Sequence, residues 1–301
     1  MRYNTAMKVI SGSSNPQLAK NIAQQLKTDL IPCKIDKFAN GEKRIMVDAG
    51  ARGQKILLVQ SFSKPVDEHI IETLLIADAL ERLGVKSIEL FVPWFGYSFQ
   101  DKVFLPGEPL SAKVVARILS ETSINKAYLL DLHNISIPGF FSIPTYHLTA
   151  MDVFAQHVQK KYKLSNTLVV SPDYGGLKRA RAFADILDLD LASVEKRRNL
   201  KTGEVTTSKL DGEVEGKNVL IFDDAILSGG TTVEVSKFLK DHGAKKIHFF
   251  ATHGVFTGEA IKDLQKSPVD SVTITNSIYQ DKLPGKIAVL DISSSLVENL
   301  S

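Results

Sequence analysis

One stretch decides the fold of this chain: residues 219–251, which read VLIFDDAILSGGTTVEVSKFLKDHGAKKIHFFA. It begins with four apolar residues, passes two aspartates and a glycine-rich loop, continues as an amphipathic helical pattern over 231–242, and ends in an apolar run at 247–251. A short, continuous apolar run is typical of a strand that is buried on both faces of a parallel sheet. The stretch therefore predicts a strand, a crossover helix and a second parallel strand.

The same alternation extends along the whole chain. Further strand-like runs lie at residues 7–11, 56–60, 88–93, 127–132, 167–171, 191–194, 272–275 and 287–290. Helical patterns cover residues 66–83, 109–121, 151–161, 174–187 and 258–266, and Asn15-Pro16 opens another helix with a cap residue and a first-turn proline. The order of these segments predicts a doubly wound α/β protein with mainly parallel sheets.

The two halves of the chain resemble each other. The passage GVKSIELF at 84–91 matches GAKKIHFF at 243–250, and GQKILLV at 53–59 matches GKNVLIF at 216–222. Similar spacings between the matches indicate one α/β unit used twice, although any two α/β crossovers look alike at this level. A length of 301 residues also favours two domains, and we place them at residues 1–148 and 149–301.

The composition excludes several classes of protein. Hydrophobic residues make up 44% of the chain and charged residues 24%, and the net charge of +3 is far from that of a dedicated nucleic-acid binder. The single cysteine, Cys33, excludes an internal disulfide or a cysteine-based zinc cluster and fits a reducing compartment. No apolar run approaches the roughly 18 residues of a membrane helix. We therefore expect a cytoplasmic protein with neither nucleic-acid nor membrane partners.

The loop at 223–231 is the sharpest chemical signal. Two carboxylates end a predicted strand, and Ser-Gly-Gly-Thr opens the helix that follows. Glycines let the backbone wrap around an anion, and the first helical turn favours a phosphate, while the carboxylates can accept hydrogen bonds from sugar hydroxyls. The pattern indicates a ribose-phosphate site, the alternative being an ordinary capped helix. It is not a Walker loop, because the chain contains no Gly-x4-Gly-Lys-Ser/Thr.

Motifs along nearly the whole chain resemble the ribose-phosphate pyrophosphokinases, the synthetases of phosphoribosyl pyrophosphate (PRPP). Besides the loop at 223–231, the resemblance is carried by SGSSNP at 11–16, FANGE at 38–42, PWFGY at 93–97, QDK at 100–102, DLH at 131–133, GFF at 139–141, SPDYGG at 171–176, EKRR at 195–198 and THG at 252–254. The resemblance implies two tandem phosphoribosyltransferase-like (Rossmann-like) domains, which agrees with the internal duplication.

The resemblance also implies which residues handle ribose 5-phosphate and the transferred group. It assigns ribose 5-phosphate binding to Arg198, Asp223, Asp224, Leu227, Ser228, Gly229, Gly230 and Thr231. It assigns catalysis to Lys196 and Arg198, since a mobile cation can neutralise charge on transferring phosphoryl oxygens. The polar residues 199–208 that follow predict a flexible flap.

A magnesium site is implied at His133 and Asp173, each of which follows a strand-like run. Open α/β sheets bind ligands at this edge, and Mg²⁺ combines a few protein ligands with water and substrate oxygens. Taken alone, His133 reads as a strand-end histidine that bonds to backbone, with Asp131 as its partner.

The ATP site is implied at two further segments. The resemblance assigns ATP binding to Phe38, Asn40, Gly41, Glu42, Phe99, Gln100, Asp101 and Lys102. An aromatic ring can stack on adenine; the alternative is a hairpin turn at Asn40-Gly41 with Phe38 in the core. In the family this turn reaches a neighbouring subunit, and the resemblance implies a homo-oligomer, a dimer or a hexamer.

Two positions depart from the family pattern. Phe99 stands where the family has an arginine that holds ATP phosphates, and Leu227 stands where it has Asp or Ser. We expect an Mg²⁺-dependent enzyme that converts ATP and ribose 5-phosphate to PRPP and AMP. The departures motivate one alternative, a catalytically weak regulatory paralogue. A phosphoribosyltransferase is the second, though that class normally needs one α/β domain and a hood.

Overall fold

Two sheets of mainly parallel strands organise the chain, and the described residues divide into two units. The structure, a computed structural model, describes residues 7–198 and 205–300, with side chains described for 7–195 and 209–300. The first unit contains β1 (Met7–Ser11), α1 (Pro16–Gln25), β2 (Leu30–Ile31), β3 (Cys33–Lys37), β4 (Lys43–Val47), β5 (Lys55–Val59), α2 (Val66–Leu83), β6 (Ser87–Val92), α3 (Ser111–Ser120), β7 (Ile124–Leu130) and β8 (Thr145–Leu148).

The second unit follows directly. It contains α4 (Met151–Lys161), β9 (Thr167–Ser171), α5 (Leu177–Leu187), β10 (Asp190–Arg198), β11 (Val205–Asp211), β12 (Asn218–Ile226), α6 (Gly230–Asp241), β13 (Lys246–Gly254), α7 (Ala260–Lys266), β14 (Ser271–Thr275) and β15 (Ile287–Leu290). The last helix, α8 (Ser293–Asn299), closes the described chain. In these residues no helix combines the length and apolar character that crossing a membrane requires.

The two sheets share one strand order. The first runs β2-β1-β5-β6-β7-β8, and six strands of the second run β10-β9-β12-β13-β14-β15, all parallel to their neighbours. The second sheet adds β11, which pairs antiparallel with β10. One unit is therefore used twice, as the repeated passages predict.

Burial follows the sequence pattern in both sheets. Every residue of β9 is buried, as are the last four residues of β5, because helices cover both faces of a parallel sheet. Helices α2 and α4 occupy the predicted ranges 66–83 and 151–161. Helix α2 carries Asp67 and Glu68 in its first turn, where the helix dipole favours acids, and ends at Gly84 with φ +73°.

A late part of the chain, which includes α8, belongs to the first unit. Of the described residues, 277–279 and 291–300 cluster with residues 7–149, whereas 150–198, 205–276 and 280–290 form the second unit. Helix α8 packs on α1, and Asn21 Nδ2 donates to Asp291 Oδ2 at 3.0 Å. The domain boundary at 148/149 stays a prediction. The structure differs from it in assigning the segment after residue 290 to the first unit.

Candidate active site

The segment at 223–231 combines a buried carboxylate pair with an exposed turn. Asp223 and Asp224 do not end the strand, as the sequence predicts, but lie inside β12, which continues to Ile226. The strand extends because β13 continues beside it, with Ala225 opposite His253 and Ile226 opposite Gly254. Leu227 and Ser228 are exposed, and α6 begins at Gly230.

Arg179 of α5 pairs with both carboxylates. Its Nη1 lies 2.8 Å from Asp223 Oδ1 and 3.2 Å from Asp224 Oδ1. Burial and the neighbouring charge of Asp224 raise the pKa of Asp223 well above its ordinary value, against the opposing effect of Arg179. The sequence analysis missed Arg179, because a basic residue within a predicted helix is usually exposed to solvent. Its position on the helix that follows β9 is the only feature of the sequence that could have indicated it.

The turn before α6 has the geometry of an anion site. Gly229 adopts φ +77° at the helix N-cap, a conformation that favours glycine, and the Gly230 N–H lies 3.5 Å from Ser228 Oγ. The first amides of a helix have no intrahelical partner, and the helix dipole attracts negative charge to them. Thr257 N–H donates to the Leu227 carbonyl at 2.9 Å, so Leu227 holds the turn through its backbone.

Asp173 lies just beyond β9 in the same unit. Its Oδ1 accepts the Gly176 N–H at 2.8 Å, and its carbonyl accepts the Ser171 hydroxyl at 2.7 Å. Lys196 and Arg198 belong to the backbone of β10, which shows a register shift between Glu195 and Lys196. The side chains of Lys196 and Arg198 lie outside the described residues, as does most of the predicted flap at 199–208.

The turn at 38–42 joins β3 and β4 as the tip of a hairpin. Phe38 N–H donates to the Glu42 carbonyl at 2.8 Å, Asn40 Oδ1 accepts the Glu42 N–H at 3.2 Å, and Gly41 has φ +90°. The hairpin is therefore confirmed, but the alternative that Phe38 lies in the core is wrong. Its side chain is 50% exposed, and the Arg44 guanidinium lies 5.7 Å from its ring centroid.

Ion pairs from α2 fix the base of this hairpin. The Lys43 ammonium lies 2.6 Å from Glu72, whose side chain is fully buried, and 3.5 Å from Glu68. Glu68 also binds Lys37, the residue opposite Lys43. Burial raises the pKa of Glu72, but hydrogen bonds from Lys43 and Ser13 outweigh burial and hold that pKa below its ordinary value. We call these contacts the hairpin clamp.

The segment at 99–102 presents an aromatic side chain where the family has a cation. The Phe99 ring lies 4.4 Å from the His133 ring and 5.9 Å from the Trp94 ring, between centroids. Gln100 Oε1 accepts the Ser111 hydroxyl at 2.6 Å, and Asp101 accepts a hydrogen bond from Asn134. Lys102 is exposed.

The two predicted magnesium ligands belong to different units, His133 to the first and Asp173 to the second. Among the residues that the structure describes, no group of three or more His, Cys, Asp or Glu side chains could hold a metal ion. A carboxylate and an imidazole fit Mg²⁺ only where substrate and water supply the remaining oxygen ligands.

Comparisons with known proteins agree with this arrangement. Residues 7–122 match the family model of the N-terminal domain of ribose phosphate pyrophosphokinase, and residues 142–282 match the phosphoribosyl transferase domain. The chain is 38% identical to the ribose-phosphate pyrophosphokinase of Thermotoga maritima, over 99% of this chain and 95% of that protein. It is 37% identical to that of Aquifex aeolicus, over 97% and 94%.

A solved structure gives the same result. The phosphoribosylpyrophosphate synthetase of Mycobacterium smegmatis is similar with a TM-score of 0.89 at 31% identity, covering 97% of each chain. Sequence, family models and fold agree over almost the whole length, and the chain belongs to the ribose-phosphate pyrophosphokinase family.

Proposed function

We propose that this chain is an active ribose-phosphate diphosphokinase. The anomeric hydroxyl oxygen of ribose 5-phosphate attacks the β-phosphorus of ATP, and the bond from that phosphorus to the α,β-bridging oxygen breaks. AMP leaves with the bridging oxygen, the hydroxyl proton is released, and PRPP forms. The observation that carries the proposal is the acidic and glycine-rich segment at 223–231, in a chain similar over its whole length to ribose-phosphate pyrophosphokinases.

Ribose 5-phosphate would bind in the second unit. The turn at 227–231 would take the phosphate through backbone N–H groups at the start of α6, with Ser228 and Thr231 as hydroxyl donors. Asp223 and Asp224 would accept hydrogen bonds from the ribose hydroxyls. Arg179 then acts as a positioning residue, because it pairs with both carboxylates and opposes the rise in the pKa of Asp223.

ATP would bind through the hairpin turn and the segment at 99–102. The exposed Phe38 ring is available to stack on adenine, with Asn40, Gly41 and Glu42 beside it. Gln100, Asp101 and Lys102 would face the phosphates. The hairpin clamp supports this role, because it fixes both strands immediately behind the turn.

Mg²⁺ would be bound through Asp173 in the second unit and through His133 in the first, in each case with substrate oxygens and water, and it would neutralise charge on the transferred group. Lys196 would add a cation there, and Arg198 would contact the ribose 5-phosphate. Catalysis of this kind consists of positioning and charge neutralisation. We also propose that the protein acts in the cytoplasm as a homo-oligomer, an expectation that the family resemblance supports.

One observation favours a second candidate function, a weakly active regulatory paralogue. Phe99 packs against His133 instead of offering a cation to ATP. The loss of one charge-assisted phosphate contact costs about 1.5–3 kcal/mol of binding free energy.

Formation of AMP by the purified chain with ATP, Mg²⁺ and ribose 5-phosphate tests the proposal, beside Lys196→Ala. We expect AMP that depends on ribose 5-phosphate and falls at least a hundredfold in the variant. If ATP binds, as seen by a thermal shift, but no AMP forms, the regulatory paralogue is the better description.

A further inference from the structure

A basic cavity lies in the second unit, at the edge of the sheet opposite the proposed substrate loop. It has a volume of about 390 Å³ and adjoins the amino ends of β9, β12 and β13, whereas the turn at 227–231 follows the carboxyl end of β12. Its lining includes Lys161, Lys163, Lys245 and Lys246, with Tyr162 and His248. We call it the lysine cavity. Its volume is within the range of roughly 300–1,000 Å³ of small-molecule sites.

The charge of the lysine cavity is uncompensated. In the described part of the chain, none of its four lysines forms an ion pair with a carboxylate, and the nearby Asp270 is already bonded to Lys240 at 3.3 Å and to the Ile247 N–H at 2.8 Å. The four lysines that line the cavity are exposed, and their like charges repel each other less when an anion binds among them. The cavity therefore favours a ligand with more than one negative charge.

His248 forms a buried wall of the cavity. Its Nδ1 lies 2.8 Å from Ser271 Oγ, and its ring centroid lies 4.5 Å from that of Tyr162. Burial lowers the pKa of His248, as do Lys246, Lys161 and Lys240, while Asp270 acts in the opposite direction. A lowered pKa favours the neutral imidazole, and a negative charge bound among these lysines would raise that pKa.

Asn218 supplies a second, independent indication of a ligand. Its Oδ1 is buried and has no hydrogen-bond partner among the residues that the structure describes. A buried polar atom without a partner is costly, so such atoms commonly receive one from water or a ligand. An amide oxygen needs a donor, which the dianionic phosphate group of a monoester lacks. A hydroxyl or amino group on the ligand provides it.

We propose that the lysine cavity binds a small phosphorylated metabolite, one with at least two negative charges and a hydroxyl or amino group. The lysines would hold the phosphate, and Asn218 would accept the hydrogen bond from the remaining part of the ligand. This site goes beyond the proposed function and does not depend on it, because none of its residues belongs to the proposed catalytic or substrate-binding set.

The test is a titration of the full chain with glycerol 3-phosphate at constant ionic strength, followed by NMR of histidine labelled with ¹⁵N. The chain has seven histidines, and His248→Gln identifies the signal of interest. We expect a saturable shift of the His248 signal and, at saturation, a higher pKa for His248. Because the readout is local, binding of the probe at the substrate loop does not produce it.

A double variant distinguishes binding in the lysine cavity from a diffuse attraction of anions to the surface. Lys161→Gln with Lys246→Gln should weaken the affinity read from His248 about tenfold or more, whereas the exposed Lys282→Gln should leave it within twofold. A His248 signal that does not move, that moves without saturation, or that responds equally in the double variant would overturn the proposal. The last two results would mean diffuse counterions only.

Discussion

Residues 60–65 and residues 223–231 follow the matching runs 53–59 and 216–222 in two sheets of one strand order, yet their side chains differ in polarity and exposure. After β5, the fully buried Phe62 packs on Phe95 with ring centroids 5.9 Å apart, and the Ser61 hydroxyl donates to the Ser277 carbonyl at 2.7 Å. The equivalent part of the second unit carries Asp223, Asp224 and an exposed turn.

The difference shows that two copies of one fold can carry different functional groups at the same edge of the sheet. The edge of the sheet at the carboxyl ends of the strands can take a ligand in either copy. In the first unit Phe62 and Phe95 pack together after β5 and β6, and the proposed nucleotide turn is instead built on a separate hairpin, β3–β4. In the second unit the same edge carries polar groups, and we propose it as the ribose-phosphate site.

The largest expected effect separates packing from binding. Phe62→Ala removes a fully buried ring and should lower the free energy of unfolding of the first unit by about 3–5 kcal/mol. In the turn of the second unit, Leu227→Ala changes a side chain that is 38% exposed and should alter stability by about 0.5 kcal/mol or less. Urea denaturation followed by fluorescence of Trp94, the single tryptophan, reports on the first unit. Equal losses in both variants would contradict the comparison.

The next effect concerns the carboxylate pair. Arg179→Met removes the cation that the structure places beside Asp223 and Asp224 and should lower stability by about 2–4 kcal/mol at pH 8. Since the pKa of Asp223 is raised in the folded state, the protonated form is favoured there, and the penalty should shrink as the pH falls through that pKa. Denaturation at pH 5 and pH 8 measures the difference. A penalty that is independent of pH would mean that Arg179 acts by packing alone.

A smaller effect is expected at the hairpin clamp. Lys43→Met should raise the KM for ATP about tenfold with kcat within about twofold, because it loosens the turn at 38–42 without touching the transferred group. Lys43→Arg should restore most of the affinity. Lys34 supplies the matched control, since it forms an exposed pair with Asp36 on the same hairpin and Lys34→Met should change little. An unchanged KM in Lys43→Met would show that the clamp serves stability only.

The smallest effect would sharpen the comparison. Leu227→Ser adds a hydroxyl to the exposed turn and should lower the KM for ribose 5-phosphate about threefold, with stability unchanged within about 0.5 kcal/mol. Steady-state kinetics with varied ribose 5-phosphate measures it. No change would mean that position 227 contributes through its carbonyl, which already accepts the Thr257 N–H.

The parts of the fold that sequence predicts well are those where burial leaves a local pattern. Continuous apolar runs located β1, β9 and β15, and helical periodicity located α2 and α4. The strands β3 and β4 leave only a weak pattern because most of their residues are partly exposed, so the Asn40-Gly41 turn was their one signal. Helix α8 packs on α1, which is distant in sequence, so the local sequence pattern does not reveal this contact.

In the candidate site, too, some residues can be predicted from the sequence and others cannot. The glycine-rich turn and the aspartates are visible in the sequence, because their residue types are rare in that order. Arg179 is not visible, because only the fold brings α5 beside β12. The packing of Phe99 on His133 is hidden for the same reason: a family pattern shows which residue is missing, and only the structure shows what its replacement contacts.

The return of residues 291–300 to the first unit has a consequence for how the protein is made. In connectivity, the second unit is an insertion between β8 and α8, so the ribosome synthesises a complete second unit before the first receives its last helix. During translation the inserted unit can reach its native state while the unit that began earlier still exposes the surface of α1. The order of completion is then the reverse of the order of synthesis, because the unit that begins first is completed last.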